Sequence, residues 1–105
     1  LHTDESLDGA DTLLEFARLV RGWTQNVSAG HCVRLGMMSD AELAPVVAEV
    51  VASRVGVLAN PITNLYLQGW ETSVGTPRGL TALRALLDAG ARVAAGADNV
   101  RDPFN

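Results

Sequence analysis

Val55-Gly56-Val57-Leu58-Ala59-Asn60-Pro61 places a glycine, a short unbroken apolar run and a polar exit in immediate succession. An apolar run of this kind, continuous rather than alternating, is the pattern of a strand covered on both faces in a parallel sheet. The same order recurs 34 residues to either side: Gly22 comes before Val27-Ser28-Ala29-Gly30 and His31, and Gly90 before the run Val93 to Ala97 and Asp98-Asn99. Each glycine follows a helical pattern and suits a left-handed C-cap. From Ala10 to Trp23 the apolar stripe is Leu13, Leu14, Ala17 and Val20, with Glu15, Arg18 and Arg21 opposite. From Ser39 to Val55, Ser39 and Glu42 spell a capping box ahead of Leu43, Val46, Val47, Val50 and Val51. Pro45 lies deep enough there to delay or kink the helix. From Gly79 to Ala89, Leu80, Leu83, Leu86 and Leu87 share a face. A tetratricopeptide array has the same 34-residue period. It needs two helices per repeat and no strands, however, and its aromatic and small-residue positions do not recur. The repeat therefore reads as βα, and the chain as α/β with a parallel sheet.

Composition narrows the range of functions. The 105 residues are 48% hydrophobic, enough for one domain with a core. No apolar run approaches the roughly 18 residues of a membrane span, so no membrane partner is expected. A net charge of −4 argues against nucleic acid, which needs clustered cations. All eight basic residues are Arg, which excludes Schiff-base catalysis and a P-loop lysine. Cys32 is the single cysteine; it rules out a disulfide framework and a Cys-rich zinc module, and fits a cytoplasmic location. The chain starts at Leu1 without the pattern of a signal peptide and stops at Asn105 in a polar stretch, so a piece of a longer protein is expected.

The polar residues fall at one place in the repeat. His2 and Glu5 follow a strand ending near Leu1, His31 follows Val27 to Gly30, Asn60 follows Val57 to Ala59, and Asp98 follows Val93 to Ala97. In a (β/α)₈ barrel the active site is built at these C-terminal strand ends. Taken singly, each residue has a plainer reading. His2 and Glu5 suit a solvated surface, His31 a hydrogen-bonded structural imidazole, and Asp98-Asn99 a turn. Asn60-Pro61 suits an extended strand exit. Cys32 suits a buried filler and Met37-Met38 packing, while Trp70 suits a pocket wall or a loop anchor and Tyr66 a pocket. Four successive strand ends bearing such residues weigh more than any one of them.

His2-Thr3-Asp4-Glu5, Gly30-His31-Cys32, the run Asn60-Pro61-Ile62-Thr63-Asn64-Leu65-Tyr66-Leu67-Gln68-Gly69, and Gly96-Ala97-Asp98-Asn99-Val100-Arg101-Asp102-Pro103-Phe104 resemble, in order and spacing, the amidohydrolase superfamily. The resemblance is closest to its cytosine deaminase-like branch. It implies a partial TIM (β/α)₈ barrel, with residues 1–105 as the C-terminal half carrying strands five to eight. It also implies hydrolytic deamination of a cytosine-like nitrogen heterocycle by a metal-bound hydroxide, in a protein that is a homo-oligomer. One divalent metal, Zn or Fe, would be held by His2 and Asp98. Glu5 would shuttle protons, His31 would contact the attacking hydroxide, and Asp98 would also hold its proton. Such a metal brings the pKa of water from about 15.7 to ~7. The family's His-x-His pair is absent here and would lie upstream of Leu1. Asn99 stands where cytosine deaminases proper usually have Asp, so it is a substrate-binding candidate for a ring other than cytosine, with Gln68 a second. Two other readings are a related amidohydrolase cleaving N-alkyl amines or cyclic amides, and a noncatalytic barrel remnant.

Overall fold

Four short strands pair in parallel in chain order: β1 (His2–Thr3), β2 (Ser28–His31), β3 (Gly56–Ala59) and β4 (Val93–Ala95). They belong to a computed structural model that describes residues 1–6, 11–76 and 79–103. The register runs Ala29↔Val57↔Val93 along one row and Gly30↔Leu58↔Ala94 along the next. Side chains alternate between the two faces of a strand. The first row is packed under helices, whereas Leu58 and Ala94 of the second are exposed. The strands that the apolar runs announce are therefore present, and the helical-array reading is excluded.

Helices α1 (Thr12–Leu19), α2 (Asp40–Ser53) and α4 (Leu83–Asp88) connect successive strands. Leu13 and Ala17 of α1, Val46, Val47 and Val50 of α2, and Leu86 of α4 close over Ala29 and Val57 in one apolar core. Burial of each such leucine or valine contributes roughly 1.5–3 kcal/mol.

Helix boundaries depart from the sequence reading in instructive ways. α1 stops at Leu19 because the chain tightens into turns, with the amides of Arg21 and Trp23 donating to Arg18 and Val20, before leaving through Gly22 at φ +85°. Ala10, the expected start, lies outside the described residues. α2 begins at Asp40 and runs through Pro45, which forgoes one backbone donor. Its capping box forms: the Ser39 amide and hydroxyl both donate to Glu42 Oε2 at 2.8 Å. Gly56 does not cap α2. Arg54 does, at φ +60°, with its amide on the Val51 carbonyl and the Val55 amide on that of Val50. That is a Schellman motif. It turns Val55 into the core and leaves Gly56 to open β3. Gly90, at φ +82°, makes the same motif on α4, its amide on Leu87 and that of Ala91 on Leu86.

Two elements were not expected. A 3₁₀ turn spans Val33–Met37, and α3 spans Pro61–Leu67. Asn60 keeps the non-helical backbone that a following proline favours, and Pro61 then starts the helix at its first position. α4 is shorter than the leucine pattern from Gly79 suggests, because Leu80 and Thr81 are drawn over the 3₁₀ turn. A Cβ on Gly36 would clash with the Leu80 carbonyl oxygen and lie 3.0 Å from its nitrogen. Gly36 is thus required by this close approach of two backbones.

Candidate active site

The C-terminal ends of β1, β2 and β4 bring His2, His31 and Asp98 together, with one ligand-type atom from each lying within 4.8 Å of the others. His31 Nε2 is 3.0 Å from His2 Nδ1, 3.6 Å from Glu5 Oε1 and 3.9 Å from Asp98 Oδ2. Glu5 Oε1 is also 3.3 Å from His2 Nδ1. The four residues singled out for chemistry converge, although they come from three separate strand ends.

Strand alternation alone does not produce this. His31 pairs with Thr3, one position on from the His2↔Gly30 pair, so a regular strand would turn the two imidazoles to opposite faces. His31 instead adopts φ +70° and Cys32 φ +51°, which ends the strand and re-aims the ring. Asp4 and Asp98 also have positive φ, at 51° and 71°. Four of the five such non-glycine residues among those described therefore sit at strand ends beside the site. Backbone strain of this sort persists only where the surroundings hold it. The holding contacts are visible. The Asp4 carboxylate accepts the Leu13 amide at 3.2 Å and the Thr12 hydroxyl at the start of α1. The Thr81 hydroxyl donates to the His31 carbonyl. Buried Asn64, on α3, sets its Oδ1 2.9 Å from His31 Nδ1.

The surroundings grade from dry to open. His31 and Asn64 are each 1% exposed, whereas the His2 and Glu5 side chains are 68% and 47% exposed. A hollow of about 390 Å³ on the open face is lined by His2, Leu58, Asn60, Gly96 and Asp98. Another of about 660 Å³ lies at the mouth, between Glu5 and the segment 67–72. Trp70 packs edge-on against Tyr66 there, with ring centroids 5.4 Å apart, and donates Nε1–H to the Tyr66 carbonyl.

Two imidazole nitrogens and a carboxylate are ordinary ligands for a divalent transition metal, which binds each at about 2.0–2.2 Å. Ligand atoms around one such ion lie roughly 3–4 Å apart; His31 Nε2 meets that spacing to His2 and Asp98, and all three ligand atoms lie within 4.8 Å of one another. The donor set is thus suitable, and His31 Nε2 falls among its atoms. Cys32 is not part of it. Its thiol is buried, and burial, with a smaller effect from the nearby Asp4 carboxylate, pushes its pKa up to about 12.

Gln68 has a structural role that its sequence position did not indicate. Its Nε2 donates to the Gly79 carbonyl and its Oε1 accepts the Gly79 amide, both at 2.7 Å. This buried amide clamps the base of the loop, and the residue also lines the hollow at the mouth. Asn99 is exposed one residue beyond Asp98, its amide donating to the Ala97 carbonyl at 3.1 Å. The sequence reading assigned nothing to Asn64, Thr81 or Asp4. Asn64 follows Asn60 by one helical turn, the only local sign that it could share a site with that strand end.

By fold and donor set, this is an α/β chain with a parallel sheet and a metal-compatible His/His/Asp cluster at its strand ends. No protein-family profile matches it. It is 37% identical to a pterin deaminase of Rhizobium rhizogenes (strain K84 / ATCC BAA-868), over 99% of this chain and 25% of that protein. It also superposes, with a TM-score of 0.80 and 28% identity, on crystal structures of 5-methylcytosine deaminase from Klebsiella pneumoniae liganded with 5-fluorocytosine and with phosphonocytosine. Those alignments cover 99% of this chain and 26% of the crystallised one. The chain is a homologue of amidohydrolase-superfamily deaminases and spans about a quarter of their length.

Proposed function

We propose that the protein carrying this chain hydrolyses an exocyclic amine from a nitrogen heterocycle, releasing ammonia and leaving a ring carbonyl, and that residues 1–105 supply strands five to eight of its barrel. The observation that carries this reading is the convergence of His2, His31 and Asp98 within 4.8 Å, with Glu5 Oε1 beside them. His2 and Asp98 hold one divalent metal, with further ligands from the rest of the barrel. When bound, that ion supplies Lewis-acid activation of water at neutral pH. Glu5, exposed at the mouth, takes a proton from the attacking water and returns it to the ring nitrogen. His31 is dry and fixed, and orients the nucleophile through Nε2. Asp98 accepts the second proton.

Asn99 faces the ring. An amide both donates and accepts, and so suits a ring edge that a second carboxylate would not. The similarity to a pterin deaminase supports an amino-pyrimidine ring larger than cytosine. The test is ammonia release by the zinc-loaded full-length protein from pterin, 5-methylcytosine and cytosine. Turnover of at least one, with preference moved towards cytosine in Asn99→Asp, is expected. No release from any of the three, with no metal retained, would overturn the proposal.

A further inference from the structure

We infer that Asn64 is a positioning residue: it holds the proton of the His31 imidazole on Nδ1, so that the Nε2 lone pair is presented to the site. The use made of that lone pair rests on the deaminase reading; the tautomer itself does not. His31 Nδ1 lies 2.9 Å from Asn64 Oδ1, and a carbonyl oxygen can only accept, so Nδ1 is the donor. In the neutral ring Nε2 is then left without a proton, 3.0 Å from His2 Nδ1.

Both partners are 1% exposed, so water does not compete to set the tautomer. The Thr81 hydroxyl anchors the His31 backbone through its carbonyl, which leaves the ring as the part for Asn64 to orient. Asn64 Nδ2 is buried and has no hydrogen-bond partner among the described residues. A buried unsatisfied donor destabilises a fold. A leucine at this position on α3 would avoid that penalty, so the amide is explained by its contact with His31 and not by packing. The partner of the far ring nitrogen commonly fixes a functional histidine in this way.

The test is long-range ¹H–¹⁵N correlation on zinc-loaded full-length protein labelled with ¹⁵N-histidine, with steady-state kinetics alongside. Wild type is expected to show His31 protonated at Nδ1. Asn64→Leu should lose that signature and lower kcat by roughly 10–100-fold, with KM little changed. Asn64→Asp retains an acceptor oxygen and should restore the Nδ1–H pattern. An Nε2–H tautomer in wild type overturns the inference, as does an unchanged spectrum in folded Asn64→Leu. Should Asn64→Leu fail to fold, the wild-type and Asn64→Asp spectra decide. Failure of wild type to deaminate any heterocycle would strike the proposed function and leave the tautomer to be read independently.

Discussion

On the side covered by α1, α2 and α4, the sheet offers Ala29 and Val57, both 0% exposed, to Leu13, Val50 and Leu86. On its other side Leu58 is 39% exposed, and Ser28 and Ala94 lie open beside it. The covered side is mainly apolar and its contacts are made by helices close in sequence. The open side, with the strand ends above it, carries the polar cluster and the left-handed backbone at His31, Cys32 and Asp98. Stability and chemistry are thus assigned to different parts of one sheet, as in barrels whose strand ends catalyse while their helices hold the fold.

The contrast makes its largest prediction at Leu86 and Leu58. Leu86→Ala should cost about 2–5 kcal/mol, as for a buried leucine. If the rest of the full-length protein covers the open face, as proposed, Leu58→Ala should cost a similar amount there, despite its exposure in this chain. Urea unfolding of both variants checks this. A cost for Leu58→Ala below about 0.5 kcal/mol would mean the open face stays open.

The strand ends are probed next. Glu5→Gln in the full-length protein should retain metal and lose roughly 10²-fold or more in kcat, because the shuttle is removed. Asp98→Ala should lower both metal content and rate. Metal analysis with ammonia assays separates the two; near-normal turnover in Glu5→Gln would remove that residue from the mechanism.

Cys32 lies where the two regions meet, and its response is to pH. Its folded-state pKa is raised from 9.0 to about 12, so between those values the unfolded chain has released a proton that the folded chain still holds. Stability should be intact below pH 9.0 and fall as pH rises from there to about 12. The slope is on the order of 1.4 kcal/mol per pH unit at most. Denaturant midpoints at successive pH values in wild type and Cys32→Ala test it, since the substitution should flatten this part of the curve. Glu42 acts in the opposite sense. Held low by its hydrogen bonds from Ser39, chiefly that of the backbone amide, it supports α2 above its ordinary 4.5 and loses that role as pH falls through its lowered folded value.

The smallest effect is expected on the covered side. Arg54→Gly should stabilise by roughly 0.5–1 kcal/mol, because glycine takes φ +60° without the strain of a side chain. A shift in midpoint of the wrong sign would show that packing by the arginine stem outweighs that strain.

Much of the fold was legible locally. Unbroken apolar runs marked the strands, the Ser39/Glu42 pair marked the start of α2, and Gly90 marked the end of α4 as Gly22 marked the turn after α1. The cap at Arg54 was missed because the Schellman motif depends on where the helix ends, and Gly56 lay two residues too far along. α3 was missed although its signal was present: Asn60 before Pro61 announces a helix start as well as an extended exit. The site was legible as a set of residue types at strand ends. The Gln68 clamp was not, because its partner Gly79 lies across a loop that no local pattern closes.

By itself the sequence determined the parallel βα order and the end of the sheet on which His2, Glu5, His31 and Asp98 would appear. Both follow from short-range physics: alternation, helical period, capping, and the chain direction that parallel strands share. Only the tertiary structure decided that His31 turns to meet His2, that Asn64 Oδ1 meets its Nδ1 from 33 positions away, and that Thr81 anchors it from 50. Those contacts depend on left-handed backbone at His31 and Cys32 and on the passage of Leu80 over Gly36. Segments far apart along the chain meet there only after the core has closed, so no local pattern records them.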